Sequence, residues 1–413
     1  MTTSDSILFL LGAGSNPLVG TRGITDHLLG WRSYRAPGTD DRGNPRLSEL
    51  GGTDAREPFY TWLARETASL YAPAAKTPAT CPVPVSERAT FEDLIYTVER
   101  LEALTTPHYY DALWDRPPSF DRPFVQLSLP GLAFAGAAHE VFDLIIGSCA
   151  TVLDYVGARC PVGAPSETRD FIESFSGRRR RVFSFNYDTT AIDVAKQWWT
   201  GFEVGGDGRF QPVRSMPDKD TFVQLHGSTH FSYVEHPYRA PLWVLRRMPA
   251  PVANHRAPRR IGFDWTSDRA AIAALPMITG YRKADKILVE PYASYFSYLR
   301  QGLFEARRWI VMGYGGRDLH ANAVLRTASD ASSDLRIFVY NRLDEAKRSD
   351  ADATQAWIRD VLWPFGRIGR VSVSDVTSAI PRDGILYLSP ALAVSVDGRI
   401  RAHEDDVRRF LAV

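Results

Sequence analysis

Residues 9–29 read FLLGAGSNPLVGTRGITDHLL. An apolar run stops at Gly12-Ala13-Gly14, small and polar residues follow, and an apolar pattern then resumes at Ile24 and Leu28. This is the pattern of a strand that ends in bare backbone and a helix that begins beyond it. Glycines let the chain turn tightly and let a pyrophosphate approach the main chain. N–H groups at a helix start supply donors and a partial positive charge. The dinucleotide fingerprint is only partly present. Gly12 and Gly14 give G-x-G, but the third glycine of G-x-G-x-x-G would fall at Pro17, and no Gly-Lys-Ser/Thr follows as in a P-loop. Two readings fit: a nucleotide cradle, or the plain strand–turn–helix that opens an α/β domain.

The composition favours an ordinary globular protein. Of 413 residues, 44% are hydrophobic and 23% charged, enough for one large domain with insertions or for two to three domains. Basic and acidic side chains number 49 and 48, so nothing global attracts nucleic acid or an anionic membrane. The local basic run at 178–181 precedes an apolar segment and reads as a solvated loop. Three cysteines, Cys81, Cys149 and Cys160, show no C-x-x-C spacing, which argues against a cysteine-built zinc site and for a reducing compartment. No signal-like segment opens the chain, and the longest apolar stretch, 141–156, is interrupted by Asp143 and Asp154. The expectation is a cytoplasmic protein with no membrane span, no metal and no direct nucleic-acid partner.

Five short apolar runs, at 7–11, 182–186, 221–225, 309–313 and 336–341, are rich in Val, Ile, Phe and Leu and do not alternate. Such runs are the mark of parallel strands covered on both faces. Between them lie helical patterns, such as 291–308, where Tyr295, Tyr298, Leu299 and Leu303 share a face. The expected fold is α/β: a Rossmann-like, doubly wound parallel sheet with a large, mostly helical insertion. The core is expected from 1–30 and 180–342, with the insertion at 31–179. The insertion opens with a loop-like stretch at 35–56 and a Pro-rich one at 72–84, then shows helical patterns at 90–104 and 137–157. A second interruption, 237–284, reads as loops and short helices. The tail, 343–413, holds a helical piece at 353–365 and a late strand at 385–388, and is expected to pack on the core or on a partner.

Chemistry in a parallel sheet gathers where strands end, at the carboxyl edge. The five runs end in Gly12-Ala13-Gly14-Ser15, in Asn186-Tyr187-Asp188, in His226-Gly227-Ser228, in Gly313-Tyr314 with Asp318 beyond, and in Asn341. Turn residues are needed at any strand end. Asn and His at consecutive ends, between two glycine-rich turns, call for a further reason.

In this order, G-A-G-S, N-Y-D, L-H-G-S and G-Y-x-x-x-D resemble the sirtuin family, and most of all the sirtuin-like NAD-cleaving proteins of bacterial antiphage defence. In sirtuins a T-Q-N-I-D motif supplies an Asn and an Asp to the nicotinamide-ribose pocket, and an H-G dipeptide supplies the catalytic His. Phe185-Asn186-Tyr187-Asp188 is similar to the first and His226-Gly227 to the second. The family's G-A-G-x-S is matched with Ser15 one position early, and its G-I-P-D-F-R is reduced to Gly23-Ile24-Thr25-Asp26; the Gly-Leu-Pro-x-x-x-x-Leu of the defence relatives fits that segment better. The resemblance spans roughly 5–30 and 180–342. A deacylating sirtuin carries a four-cysteine zinc module that three cysteines cannot build, which weakens a deacylase reading and leaves the Asn/His pair untouched.

The resemblance implies NAD as substrate. Nicotinamide leaves a cationic pyridinium as a neutral molecule, so no general acid is needed; the enzyme must position the ribose, stabilise an oxocarbenium-like centre and present water. Asn186, whose amide donates and accepts, suits ribose and water placement, and His226 suits a general base. Asp188 either orients a neighbour, offsets the developing positive charge or bonds N–H groups of its own turn. Gly12, Ala13, Gly14 and Ser15 would hold the pyrophosphate, Gly313 and Tyr314 would close over the adenosine half, and Asn341 would bond the adenosine ribose. Asp318 contributes to the cofactor site or caps a helix; Thr25 and Asp26 face the nicotinamide side or cap the helix after them.

The expected activity is hydrolysis of NAD to ADP-ribose and nicotinamide by a defence effector switched on by assembly or a partner. The relatives work as homo-oligomers, with a HerA-type ATPase or with an Argonaute-like protein. Two other readings remain: a deacylase or ADP-ribosyltransferase, and a non-catalytic NAD or ADP-ribose sensor that gates a partner.

Overall fold

A computed structural model of the chain describes residues 6–19, 21–29, 90–92, 95, 148–149, 151–153, 155–161, 163–193, 198–202, 209–236, 239–245, 261–262, 271–272, 277–278, 283–316, 318–342, 357–358, 361–366, 385–389, 392–395, 400 and 403–412. The chain divides into two compact units. One comprises Met1–Gly20, Gly157–Ala250 and Ile287–Val413; the other comprises Thr21–Val156 and Pro251–Lys286.

In chain order the elements are β1 (Ser6–Leu11), α1 (Thr21–Leu29), α2 (Glu167–Glu173), β2 (Arg179–Ser184), β3 (Thr221–Gln224), β4 (Phe231–His236), β5 (Arg239–Leu245), β6 (Ile261–Gly262), β7 (Ala271–Ile272), α3 (Lys283–Ile287), α4 (Tyr292–Glu305), β8 (Arg308–Met312), α5 (Leu319–Ala331), β9 (Arg336–Tyr340), β10 (Ile385–Ser389), β11 (Leu392–Ser395) and α6 (Glu404–Ala412). A seven-stranded sheet runs in the order β10-β11-β9-β8-β1-β2-β3. Six of its strands are parallel, and β10 joins the edge antiparallel to β11. This is a Rossmann-like α/β sheet. The chain winds outward from β1 through β2 to β3, then returns to β8 on the other side of β1 and winds outward again. The topological switch point therefore lies between β1 and β8.

Both faces of the sheet are covered, which is why its strands are apolar without alternation. On one face Ile7, Phe9 and Leu11 pack with Phe171, Ile172 and Phe175 at α2 and with Val407 and Leu411 on α6. The Phe9 and Phe171 rings meet edge-on at 6.4 Å. Burying a side chain such as Phe9 contributes roughly 2–3 kcal/mol. On the other face α4 lies so close that a Cβ on Gly302 would stand 2.9 Å from Phe183 and 3.4 Å from Leu8. Tyr295, Tyr298, Leu299 and Leu303, the stripe expected from the sequence, are all buried along α4.

The late strand near 385 forms as β10, with β11 carrying the tail into the sheet beside β9. The expected helical piece at 353–365 is helical at its described positions and closes in a 3₁₀ turn over Trp363–Phe365. In the second unit, described residues between 148 and 156 are helical, Phe91 N donates to Thr25 Oγ1 at 2.9 Å, and β6 and β7 form a short antiparallel pair. The stretches at 35–56 and 72–84, and most of the helical patterns at 90–104 and 137–147, lie outside the described residues.

Two expectations are corrected. Part of 237–284 is not loop or helix: Arg239–Leu245 forms β5, which pairs with β4 in an antiparallel hairpin. The basic run is not a solvated loop either, because Arg179, Arg180 and Arg181 are the first residues of β2. Arginine is tolerated inside a sheet only when its charge is met by acceptors. Arg180 N donates to Asp220 Oδ1 at 2.8 Å, its guanidinium binds the Asp220 and Glu173 carboxylates, and it lies 4.7 Å over the Trp198 ring. Arg181 Nη1 donates to Pro217 O at 2.9 Å and to Thr221 Oγ1 at 2.8 Å. Asp220→Ala would leave the buried Arg180 with one carboxylate of two, and we expect urea unfolding to show a loss of about 2–3 kcal/mol; a change within about 0.5 kcal/mol would contradict a structural role for the pair.

Candidate functional site

The turns after β1 and β8 meet at the switch point, and they fit only because both are glycine. Gly12 N donates to Met312 O at 2.8 Å, Gly14 N to Gly313 O at 3.1 Å, and Gly313 N to Tyr340 O at 2.7 Å. A Cβ on Gly12 would stand 2.6 Å from Gly313 O, and one on Gly313 would stand 2.1 Å from Ser15 N. Gly313 also has φ +63°, in the left-handed region that favours glycine. The turn after β1 is a 3₁₀ turn over Ala13–Ser15, followed by a second over Pro17–Val19; α1 begins only at Thr21. The helix expected beyond the small and polar residues thus forms, with two 3₁₀ turns ahead of it in the chain. Gly14 and Gly315 present exposed main chain on the two turns.

The ends of β2 and β3 bring the Asn and the His side by side. Ser184 and Gln224 are register partners, and Asn186 and His226 each follow two residues later. The half-buried Asn186 donates from Nδ2 to Ser15 Oγ at 3.0 Å, tying the β2 end to the glycine turn of β1. Thr168 Oγ1 donates to Ser15 O at 2.6 Å and fixes that turn from α2. Gln224 Nε2 donates to Asp188 O at 3.0 Å and to Asn186 O at 3.4 Å, so the β2 and β3 ends are bonded together.

Asp188 is buried and acts within its own turn: Oδ1 accepts from Thr190 N at 3.0 Å and from the Thr190 hydroxyl. Oδ2 has no hydrogen-bond partner among the described residues. Asn16, which the sequence did not single out, donates from Nδ2 to Thr190 Oγ1 at 3.1 Å and to Cys160 Sγ at 3.3 Å. Burial, with Asp188 adding to it, pushes the Cys160 thiol up to about 11.

His226 is buried, and its Nε2 lies 2.7 Å from Asp318 Oδ2. Asp318 is also the N-cap of α5, where Oδ1 accepts from His320 N at 3.1 Å and Ala321 N at 3.0 Å. The capping alternative for Asp318 is thus correct, and the sequence did not show the second partner 92 residues away. Phe185 stands edge-on to the His226 ring at 4.8 Å and stacks on Tyr314 at 5.0 Å. Tyr314 Oη donates to Asn322 Oδ1 at 2.7 Å, and burial pushes its hydroxyl pKa far above the ordinary value, so it stays protonated near neutrality. Asn341 Nδ2 donates to Tyr314 O at 3.2 Å while Oδ1 accepts from Arg342 N at 3.0 Å. Its side chain braces the turn after β8.

Gly12, Ala13, Gly14, Ser15, Asn186, Asp188, His226, Gly313, Tyr314, Asp318 and Asn341 all lie at the carboxyl edge of one sheet. Thr25 and Asp26 belong to the other unit, where Thr25 is buried and accepts from Phe91 and Asp26 is exposed. Among the described residues no group of three or more His, Cys, Asp or Glu side chains is arranged to hold a metal ion, and no helix is long and apolar enough to cross a membrane. The chain matches no protein-family model and no curated protein sequence.

Two outcomes test this geometry. Gly313→Ala should cost about 3 kcal/mol or more in urea unfolding because its Cβ meets Ser15 main chain, whereas Gly315→Ala, with nothing within 4 Å of a Cβ, should stay within about 0.5 kcal/mol; equal effects would contradict the interlock. Alkylation needs the thiolate, so native Cys160 should react with iodoacetamide at least roughly 100-fold more slowly than in unfolded protein, read by peptide mass spectrometry. Rapid labelling of native Cys160 would contradict its burial.

Proposed function

We propose that this protein is an NAD glycohydrolase that cleaves NAD to ADP-ribose and nicotinamide. The observation that carries the reading is the pairing of Asn186, tied to the β1 glycine turn, with His226, at equivalent positions of neighbouring strand ends beside the switch point. Ligands of open α/β sheets bind outside the carboxyl ends at such a point. The exposed main chain of Gly14 and Gly315 fits the approach of a pyrophosphate.

In this reading the Gly12–Ser15 turn receives the pyrophosphate. Gly313 and Tyr314 close over the adenosine half, and Asn341 holds their turn in place. Asn186 places the nicotinamide ribose and the attacking water. The bond between C1′ and the nicotinamide nitrogen breaks with its electron pair leaving on nicotinamide, which departs neutral. Water adds to C1′, and His226 takes the proton it loses. The carboxylate of Asp188 offsets positive charge as it develops. An enzyme of this kind is toxic when always on, so we also propose that it is a defence effector gated by homo-oligomeric assembly or by a partner protein, such as a HerA-type ATPase or an Argonaute-like protein.

The test is nicotinamide release from NAD by the purified protein, with no acyl peptide present. Wild type in its assembled or partner-bound state should release nicotinamide, and Asn186→Ala and His226→Ala in the same state should each fall by about 10²–10⁴-fold. Release by His226→Ala at the wild-type rate would overturn the assignment.

A further inference from the structure

We propose that Asp318 is the positioning residue of His226: it fixes the imidazole as the Nε2–H tautomer, so that Nδ1 is the nitrogen that takes a proton. The proposal rests on His226 being the general base of the reaction proposed above.

The geometry is of two groups locked by separate means. An ionised carboxylate can only accept, so at 2.7 Å from Asp318 Oδ2 the neutral ring carries its proton on Nε2 and its lone pair on Nδ1. The carboxylate cannot swing to serve a different rotamer, because Oδ1 is held by His320 N and Ala321 N at the start of α5. Phe185 limits rotation of the ring from one side. Phe185 in turn stacks on Tyr314, whose hydroxyl is bonded to Asn322 one turn along α5. The start of one helix thus governs both the proton position and the orientation of the ring. When the ring gains a proton, the carboxylate meets the imidazolium charge, which burial would otherwise make costly.

A helix cap alone does not require this arrangement. Asn, Ser or Thr caps as well as Asp, through one acceptor oxygen. What sets Asp318 apart is its second oxygen, directed at an imidazole nitrogen on another strand end. Asp318→Asn separates the two roles. Its amide oxygen keeps the cap, and its amide nitrogen then faces Nε2 as a donor, which drives the ring proton to Nδ1. Asp318→Ser keeps a cap and removes the partner.

The experiment is ¹⁵N NMR of protein labelled at histidine, with the His226 signal assigned by its loss in His226→Ala, at a pH where the ring is neutral. Wild type should show protonated Nε2 and unprotonated Nδ1, and Asp318→Asn should show the reverse. In the same Asp318→Asn protein the thermal midpoint should stay within a few degrees while kcat for nicotinamide release falls by about 10²–10⁴-fold, with KM little changed. A wild-type ring protonated on Nδ1, an unchanged tautomer in Asp318→Asn, or an Asp318→Asn enzyme with wild-type kcat would overturn the proposal. A tautomer that reverses as stated in a protein that binds no NAD at saturating concentration would uphold the positioning role and reject the NAD reading, so the two fail separately.

Discussion

The contact between the glycine turns after β1 and β8 is the constraint on which the rest depends. In a doubly wound sheet the chain leaves its first strand in one direction and returns to the other side of that strand later, so two turns emerge next to each other at the switch point. Here they touch main chain to main chain, through Gly12, Gly14 and Gly313, with no room for a Cβ. Asn186 bonds Ser15 of the same turn from the neighbouring strand. The same glycines that suggest a phosphate cradle in the sequence thus have a structural duty first, and the surface they leave is bare main chain.

Around that contact, the polar groups of the carboxyl edge are linked rather than scattered. Gln224 joins the β2 and β3 ends, Thr168 fixes Ser15 from α2, and Asn341 braces the turn after β8. Asp318 joins α5 to His226. Three of these bonds fix main-chain carbonyls, those of Asp188, Ser15 and Tyr314, and the Asp318 bond fixes the His226 ring itself.

Much of the sheet was legible because buried parallel strands have a plain signature, and the five apolar runs all became strands. The stripe of Tyr295, Tyr298, Leu299 and Leu303 likewise identified α4 by its period. The amino-terminal half of β2 was hidden, because Arg180 and Arg181 are made compatible with burial by Asp220, Glu173 and Glu305, which lie far from them in sequence or carry no local signal. Strand ends located the candidate residues, since the carboxyl edge collects whatever follows each run. Their bonding was not readable. The Asp318–His226 pair spans 92 residues, and Asn16 is tied to Thr190 and Cys160 only by the fold. Asp188 and Asp318 each had a turn-forming alternative, and both make those local bonds.

The most direct test of the central claim is a crystal structure of His226→Ala grown with NAD. Intact NAD is expected, with its pyrophosphate on the Gly12–Ser15 turn and its nicotinamide ribose beside Asn186 on the side where His226 stood. NAD bound away from the switch point, or no binding at saturating NAD, would contradict it.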